Sequence, residues 1–134
     1  MIVVDTNVLA YFWIPGDATA AARRLMSADP DWKAPPLWRS EFRNVLATLV
    51  RTGKMGEATA VETVRAAEKQ MVEGECAVDS EAVLRLAASS GASAYDCEFV
   101  ALSAELDVRL VTSDRKLVRA FPDRTRLLGD AAAE

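Results

Sequence analysis

The sequence predicts an α/β domain with a mostly parallel sheet flanked by helices. Three observations carry this. Short apolar or β-branched runs alternate with longer amphipathic stretches, the pattern of strands alternating with helices. Two of those runs, Ile2–Val4 and Val108–Val111, lead within a few residues to an Asp that opens a helix. The 134 residues contain no repeats or linkers, so 1–134 is expected to form one unit, long enough to bury about two thirds of its unfolded surface.

The elements follow in order. Ile2-Val3-Val4 is a buried strand that Asp5-Thr6-Asn7 hands to a short helix, Val8 to Trp13. Pro15 and Gly16 break that helix. Asp17 or Thr19 caps the next one, which runs to about Ala28. After the Asp29-Pro30-Asp31 turn, Trp32-Lys33-Ala34 reads as a short strand. Leu37 to Thr52 is an amphipathic helix with Trp38, Phe42, Val45, Leu46 and Leu49 at helical spacing. An Ala-rich helix follows from Glu57 to about Glu73, and Glu75 to Val78 reads as a further strand. Asp79 or Ser80 caps a helix ending near Gly91, and Ser93 opens another to about Leu106. Val108 to Val111 is a strand, and Thr112-Ser113-Asp114 starts one more helix. Arg126 to Leu128 reads as an edge strand, with a frayed tail from Ala131.

Composition excludes much. With 51% hydrophobic and 27% charged residues, the chain is of the soluble globular type. Cys76 and Cys97 are too few for a disulfide framework and read as small buried hydrophobes. No signal peptide and no apolar run near the ~18 residues of a membrane span is visible, so the cytoplasm is the expected location. There is no histidine. That removes Ser-His-Asp and Cys-His catalysis and the histidine pairs of metal-free ribonucleases. No P-loop or G-x-G-x-x-G fingerprint is present either. Any catalysis must rest on carboxylates, with a metal ion the natural companion. The net charge of −4 speaks against a nucleic-acid partner unless several acids sit together and are neutralised by metal.

Four acids stand out. Taken singly, Asp5 and Asp114 read as helix caps, and Ser93-x-x-Asp96 as a capping box. Glu41 lies beside Trp38 and Val45 at the edge of its helix's apolar stripe, where a salt bridge to an arginine is the ordinary answer. Arg39 and Arg43 fall toward the polar face. Asp96 shares a face with Phe99, Val100 and Ser103, whereas Glu98 and Glu105 on the opposite face read as solvated acids. Together the four say more. Asp5 and Asp114 follow strands, and ligands of open α/β sheets bind outside the carboxyl ends of strands. Four carboxylates aimed at one cleft repel each other, and Mg²⁺ or Mn²⁺ relieves that repulsion. Such a site activates water and stabilises the leaving oxygen of a phosphodiester. Thr6, Asn7, Thr112 and Ser113 are placed to orient the carboxylates or their waters.

These residues also carry a resemblance. Val-Asp5-Thr6-Asn7-Val-Leu resembles the opening of PIN-domain nucleases. So do Ser40-Glu41-Phe42-Arg43-Asn44-Val45-Leu46, Tyr95-Asp96 at a helix start, and Leu-Val-Thr112-Ser113-Asp114-Arg-Lys-Leu. Each motif alone is weak; the order and spacing make the set specific, and it covers the whole chain. The resemblance implies a three-layer α/β/α fold with a parallel sheet of about five strands. It implies Mg²⁺- or Mn²⁺-dependent cleavage of RNA by Asp5, Glu41, Asp96 and Asp114, which match the family's acidic positions, with Ser40 among the residues supporting them. The single-domain form is similar to VapC-type toxins, which pair with a small antitoxin and form homodimers. Many relatives carry a further acid just beyond the position of Asp114. Here Arg115 and Lys116 stand there, which leaves one or two metal ions open and makes these two residues the candidates for RNA backbone contacts.

Other readings stay open. Trp13, Trp32 and Trp38 fit a core or interface better than base-stacking platforms. Helices between Leu37 and Glu73 could supply a dimer surface, though core packing gives the same pattern. An aspartate-nucleophile phosphatase would want an acid where Asn7 stands, and a receiver domain would want adjacent acids after the first strand. A PIN fold that binds RNA or protein without cutting is the remaining alternative.

Overall fold

A computed structural model describes residues 1–133. Its elements are β1 (Ile2–Val4), α1 (Thr6–Trp13), α2 (Thr19–Ala28), β2 (Trp32–Lys33), α3 (Leu37–Arg51), α4 (Glu57–Met71), α5 (Ser80–Ser90), α6 (Ala94–Leu106), β3 (Leu110–Thr112), α7 (Arg115–Ala120), β4 (Thr125–Leu127) and α8 (Leu128–Ala132). Among the described residues no helix is long and apolar enough to cross a membrane.

The strands form one parallel sheet in the order β2-β1-β3-β4. Val4 pairs with Val111, so β1 and β3 end side by side. Both strands are apolar on both faces, and Val3, Val4, Leu110 and Val111 are all buried. A strand buried on both faces needs helices on both. α6 packs on β1 and β3, α7 on β3 and β4, and α1 and α8 on β3. The core joins these strands to Trp38, Phe42 and Leu46 of α3, Met71 of α4 and Phe99, Val100 and Leu102 of α6.

The sheet has four strands rather than about five. The run expected as a strand over Glu75–Val78 contributes a single parallel bridge, Ala34 to Glu75. It is bounded closely on both sides. Gly74 presses so near the Trp32 carbonyl that an added Cβ would sit 2.2 Å from its oxygen. Asp79 then starts α5 by accepting the Ala82 N–H at 3.0 Å. The C-terminal residues also depart from expectation. β4 begins at Thr125, and Ala131 and Ala132 belong to α8, because Leu128 and Ala131 are buried and α8 packs on α2; Glu134, the end of the expected tail, lies outside the described residues. Cys97 is buried, Cys76 only partly so, and both thiols are free.

Candidate active site

The chain leaves β1 for β2 on one side, while β3 continues to β4 on the other. The gap between the carboxyl ends of β1 and β3 is therefore the point where the winding reverses, the position at which open α/β sheets take their ligands. Asp5 is the first residue after β1. Its Oδ1 accepts the Thr6 N–H at 2.8 Å and so caps α1. Its Oδ2 accepts from Thr112 Oγ1 at 2.8 Å and from Asn7 Nδ2 at 3.3 Å. Thr112 is fully buried at the end of β3, and the same oxygen accepts the Asp114 N–H at 3.0 Å. One hydroxyl thus fixes Asp5 and Asp114 relative to each other. Asn7 makes a second tie across the gap, accepting the Ser113 N–H at 3.1 Å.

The other acids arrive on helices. Glu41 of α3 accepts from Thr6 Oγ1 at 2.8 Å, which links it to α1. Asp96 lies in the first turn of α6, where its N–H donates to Ser93 Oγ at 3.0 Å. The Ser93 hydroxyl also favours the charged form of its carboxylate. Asp114 caps α7, its Oδ1 accepting the Lys116 N–H at 2.9 Å and the Leu117 N–H at 3.4 Å. A cavity of about 520 Å³ brings all four acids into one wall, with Thr6, Asn7, Ser40 and Tyr95.

Burial and mutual repulsion set the electrostatics. Burial pushes Asp5 up to about 6, against the bonds from Thr112 and Thr6, and the charges of Glu41 and Asp96 push the same way. Glu41 is raised by burial, then by Asp96 and Glu98, with the Thr6 bond opposing. Asp96 is raised by burial and by Asp114, with the Ser93 bond opposing. Among the described residues none of the four acids has an ion pair. The arginines on either side of Glu41 are engaged elsewhere: Arg39 pairs with Glu68 and Glu75, and Arg43 lies 4.0 Å from Glu68.

The donor set suits a hard divalent cation: carboxylates and hydroxyls, with no sulfur or imidazole. Its spacing is open. Among the described residues no three acids already converge closely enough to enclose an ion. Mg²⁺ is often held through one or two carboxylates and its own waters, so a wide cluster is compatible with it.

The structure separates several residues that the sequence grouped. Thr6, Asn7 and Thr112 touch the acids directly. Ser113 instead reaches Asn7, through its backbone N–H, and its Oγ lies 3.2 Å from the Tyr11 hydroxyl. Ser40 is exposed on the cavity wall. Lys116 flanks a neighbouring cavity of about 280 Å³ that it shares with Asp96 and Asp114. Arg115 does not accompany it: the turn of α7 carries its side chain toward Tyr11 and Ser113. Glu98 is a correction. It is partly buried and its charge reaches Glu41, because α6 is buried almost all round and has no fully solvated face. Trp32 and Trp38 belong to the core, and the partly buried Trp13 donates to Gln70 at 2.5 Å. Tyr95 was not singled out from the sequence beyond its place before Asp96. It is 64% exposed on the cavity rim.

Fold and site together define a parallel α/β domain with unpaired carboxylates at its switch point. A PIN domain model matches residues 2–121, and the chain belongs to the PIN domain family. It is 27% identical over 124 residues to Ribonuclease VapC3 of Pyrobaculum aerophilum, covering 90% of this chain and 95% of the relative. Its fold matches the crystal structure of PAE2754 from Pyrobaculum aerophilum, with a TM-score of 0.77, 20% identity and coverage of 99% and 97% of the two chains. It also matches FitAcB from Neisseria gonorrhoeae, with a TM-score of 0.69, 18% identity and coverage of 93% and 96%.

Proposed function

We propose that this chain is a Mg²⁺- or Mn²⁺-dependent ribonuclease whose metal is held by Asp5, Glu41, Asp96 and Asp114. One observation carries the reading: four carboxylates share a cavity and, among the described residues, no cationic side chain pairs with them. Leaving buried negative charge unpaired is costly unless something from outside neutralises it. A bound divalent ion would activate water and neutralise charge on the phosphodiester. The chain's own part is positional. Thr112 and Asn7 hold Asp5, Thr6 holds Glu41, and Asp114 is fixed through its own backbone N–H. Lys116 stands where it can meet RNA phosphate beside Asp96 and Asp114. The phosphatase alternative needs a proton donor at position 7, and Asn7 is instead committed to Asp5 and Ser113.

The likeness to Ribonuclease VapC3 supports the RNA substrate. The resemblance of the sequence motifs to VapC-type toxins extends the reading to a toxin held in check by a small antitoxin, acting as a homodimer in the cytoplasm. The open spacing of the acids favours a second reading, a PIN fold that binds RNA or protein without cutting. One experiment decides. The purified chain and its Asp96→Asn variant are incubated with labelled RNAs in Mg²⁺, Mn²⁺ or EDTA. Cleavage that needs both metal and Asp96 is expected. Equal cleavage by the variant, or cleavage in EDTA, rejects the site. RNA bound but never cut leaves the binding module.

A further inference from the structure

A second cavity of about 320 Å³ opens between α5 and α6, beside the acid cavity. Tyr95 stands in the wall of both. Tyr95 is 64% exposed, and so is Leu84 across the second cavity. Val83 lies deeper, and Ser80 and the partly buried Glu98 supply polar groups. Tyr95 and Glu98 are three residues apart on α6 and share a face. Tyr95 also directly precedes Asp96, so a polynucleotide lying across Asp96 passes its ring.

This combination suits a single unpaired base that carries an amino group. An exposed aromatic ring stacks the flat face of any unpaired base. A carboxylate beside it can only accept, and the exocyclic amino groups of cytosine, adenine and guanine donate, whereas uracil offers a carbonyl there. Resting on the ribonuclease reading, we propose that Tyr95 stacks the unpaired base next to the phosphodiester at Asp96, and that Glu98 selects an amino-bearing base in the second cavity. A protein partner is the competing occupant of this patch. The shared Tyr95 wall favours RNA, because it makes the two cavities one continuous path.

The test uses the whole chain with fluorescein-labelled hexacytidylate and hexauridylate, followed by anisotropy with Ca²⁺ in place of Mg²⁺. The native chain is expected to bind hexacytidylate several-fold more tightly. Tyr95→Ala is expected to weaken that binding about tenfold, as loss of one base–aromatic stack does, and Tyr95→Phe to restore it. Glu98→Gln is expected to bring the two oligomers within about twofold, because an amide donates as well as accepts. Tyr95 is exposed, so thermal melts of these variants should overlay. RNA binding that Tyr95→Ala leaves unchanged overturns the proposal while the ribonuclease reading stands. Equal affinity of the native chain for both oligomers overturns the role of Glu98. Failure of the folded native chain to bind either RNA overturns both readings. Loss of self-association in sedimentation by Tyr95→Ala, with RNA affinity intact, makes the patch a contact between copies and overturns the proposal too.

Discussion

Two regions touch α3 and treat carboxylates in opposite ways. On one side Glu75 accepts from Trp38 Nε1 at 2.7 Å and pairs with Arg39, which also pairs with Glu68 and lies over the Trp38 ring. On the other side Glu41 meets, among the described residues, the Thr6 hydroxyl and the repulsion of Asp96 and Glu98. The first cluster is closed: each acid has its donor, and the group ties α3 to α4 and to the segment after α4. The second is open, with hydroxyl and amide partners and no cation. A chain that can supply arginines two residues away on the same helix, and does not turn them toward Glu41, leaves that charge for a partner from outside.

The sharpest way to break this contrast is to remove one acid from each region. Glu41→Gln should lower RNA cleavage about a hundredfold or more, since even the outer partners of metal sites are worth about 10–100-fold. Glu75→Gln should leave cleavage unchanged. Comparable losses from both would erase the distinction.

The next effect is on stability against pH. Asp5 has a folded-state pKa of about 6 against 3.8 when unfolded. Above pH 6 both states are ionised and the fold bears the burial penalty. Between about 6 and 4 the folded protein takes up the proton first, so stability rises as pH falls through that window. The shift corresponds to up to about 3 kcal/mol. Glu41 and Asp96 are raised too and add in the same direction. Urea melts at pH 7.5 and pH 5 in metal-free buffer read the sign, and a fall in stability at pH 5 would contradict an open acid cluster.

In the closed cluster the expected change is smaller. Glu75→Ala strands the buried Trp38 N–H and should cost about 2 kcal/mol in the same melts. The smallest effect is that of added metal. Mg²⁺ at ten times its Kd should stabilise the native chain at pH 7.5 by about 1.4 kcal/mol. Asp96→Asn should abolish the gain, and Glu75→Gln should retain it.

The sequence made the open cluster easier to see than the closed one. Asp5 and Asp114 each follow an apolar run, and helical spacing placed Glu41 and Asp96 against apolar neighbours, so four separate anomalies pointed at one sheet edge. The role of Thr112 as a shared hydroxyl could not be read, because it depends on β1 and β3 being neighbours, a pairing 107 residues apart in the chain. Arg115 and Lys116 diverge for a local reason instead, since adjacent helical residues point about 100° apart. Glu98 was misplaced because a helical wheel assumes that one face meets water, and α6 is enclosed by both the sheet and α5. The strand expected at Glu75–Val78 fell short because Glu75 is drawn into the Arg39–Trp38 cluster and Asp79 is needed as a cap.

That shortened strand has a consequence for solubility. β2 is an edge strand of two residues, and the chain covers its open side with one bridge at Ala34, brought into reach by Gly74 lying flat against the Trp32 carbonyl. A side chain at position 74 would force the cover away and leave the backbone donors and acceptors of β2 free to pair with a strand of another molecule. Gly74→Ala would thus act first on the colloidal behaviour of the protein, as precipitation at high concentration, with the acid cleft on the far side of β1 still intact.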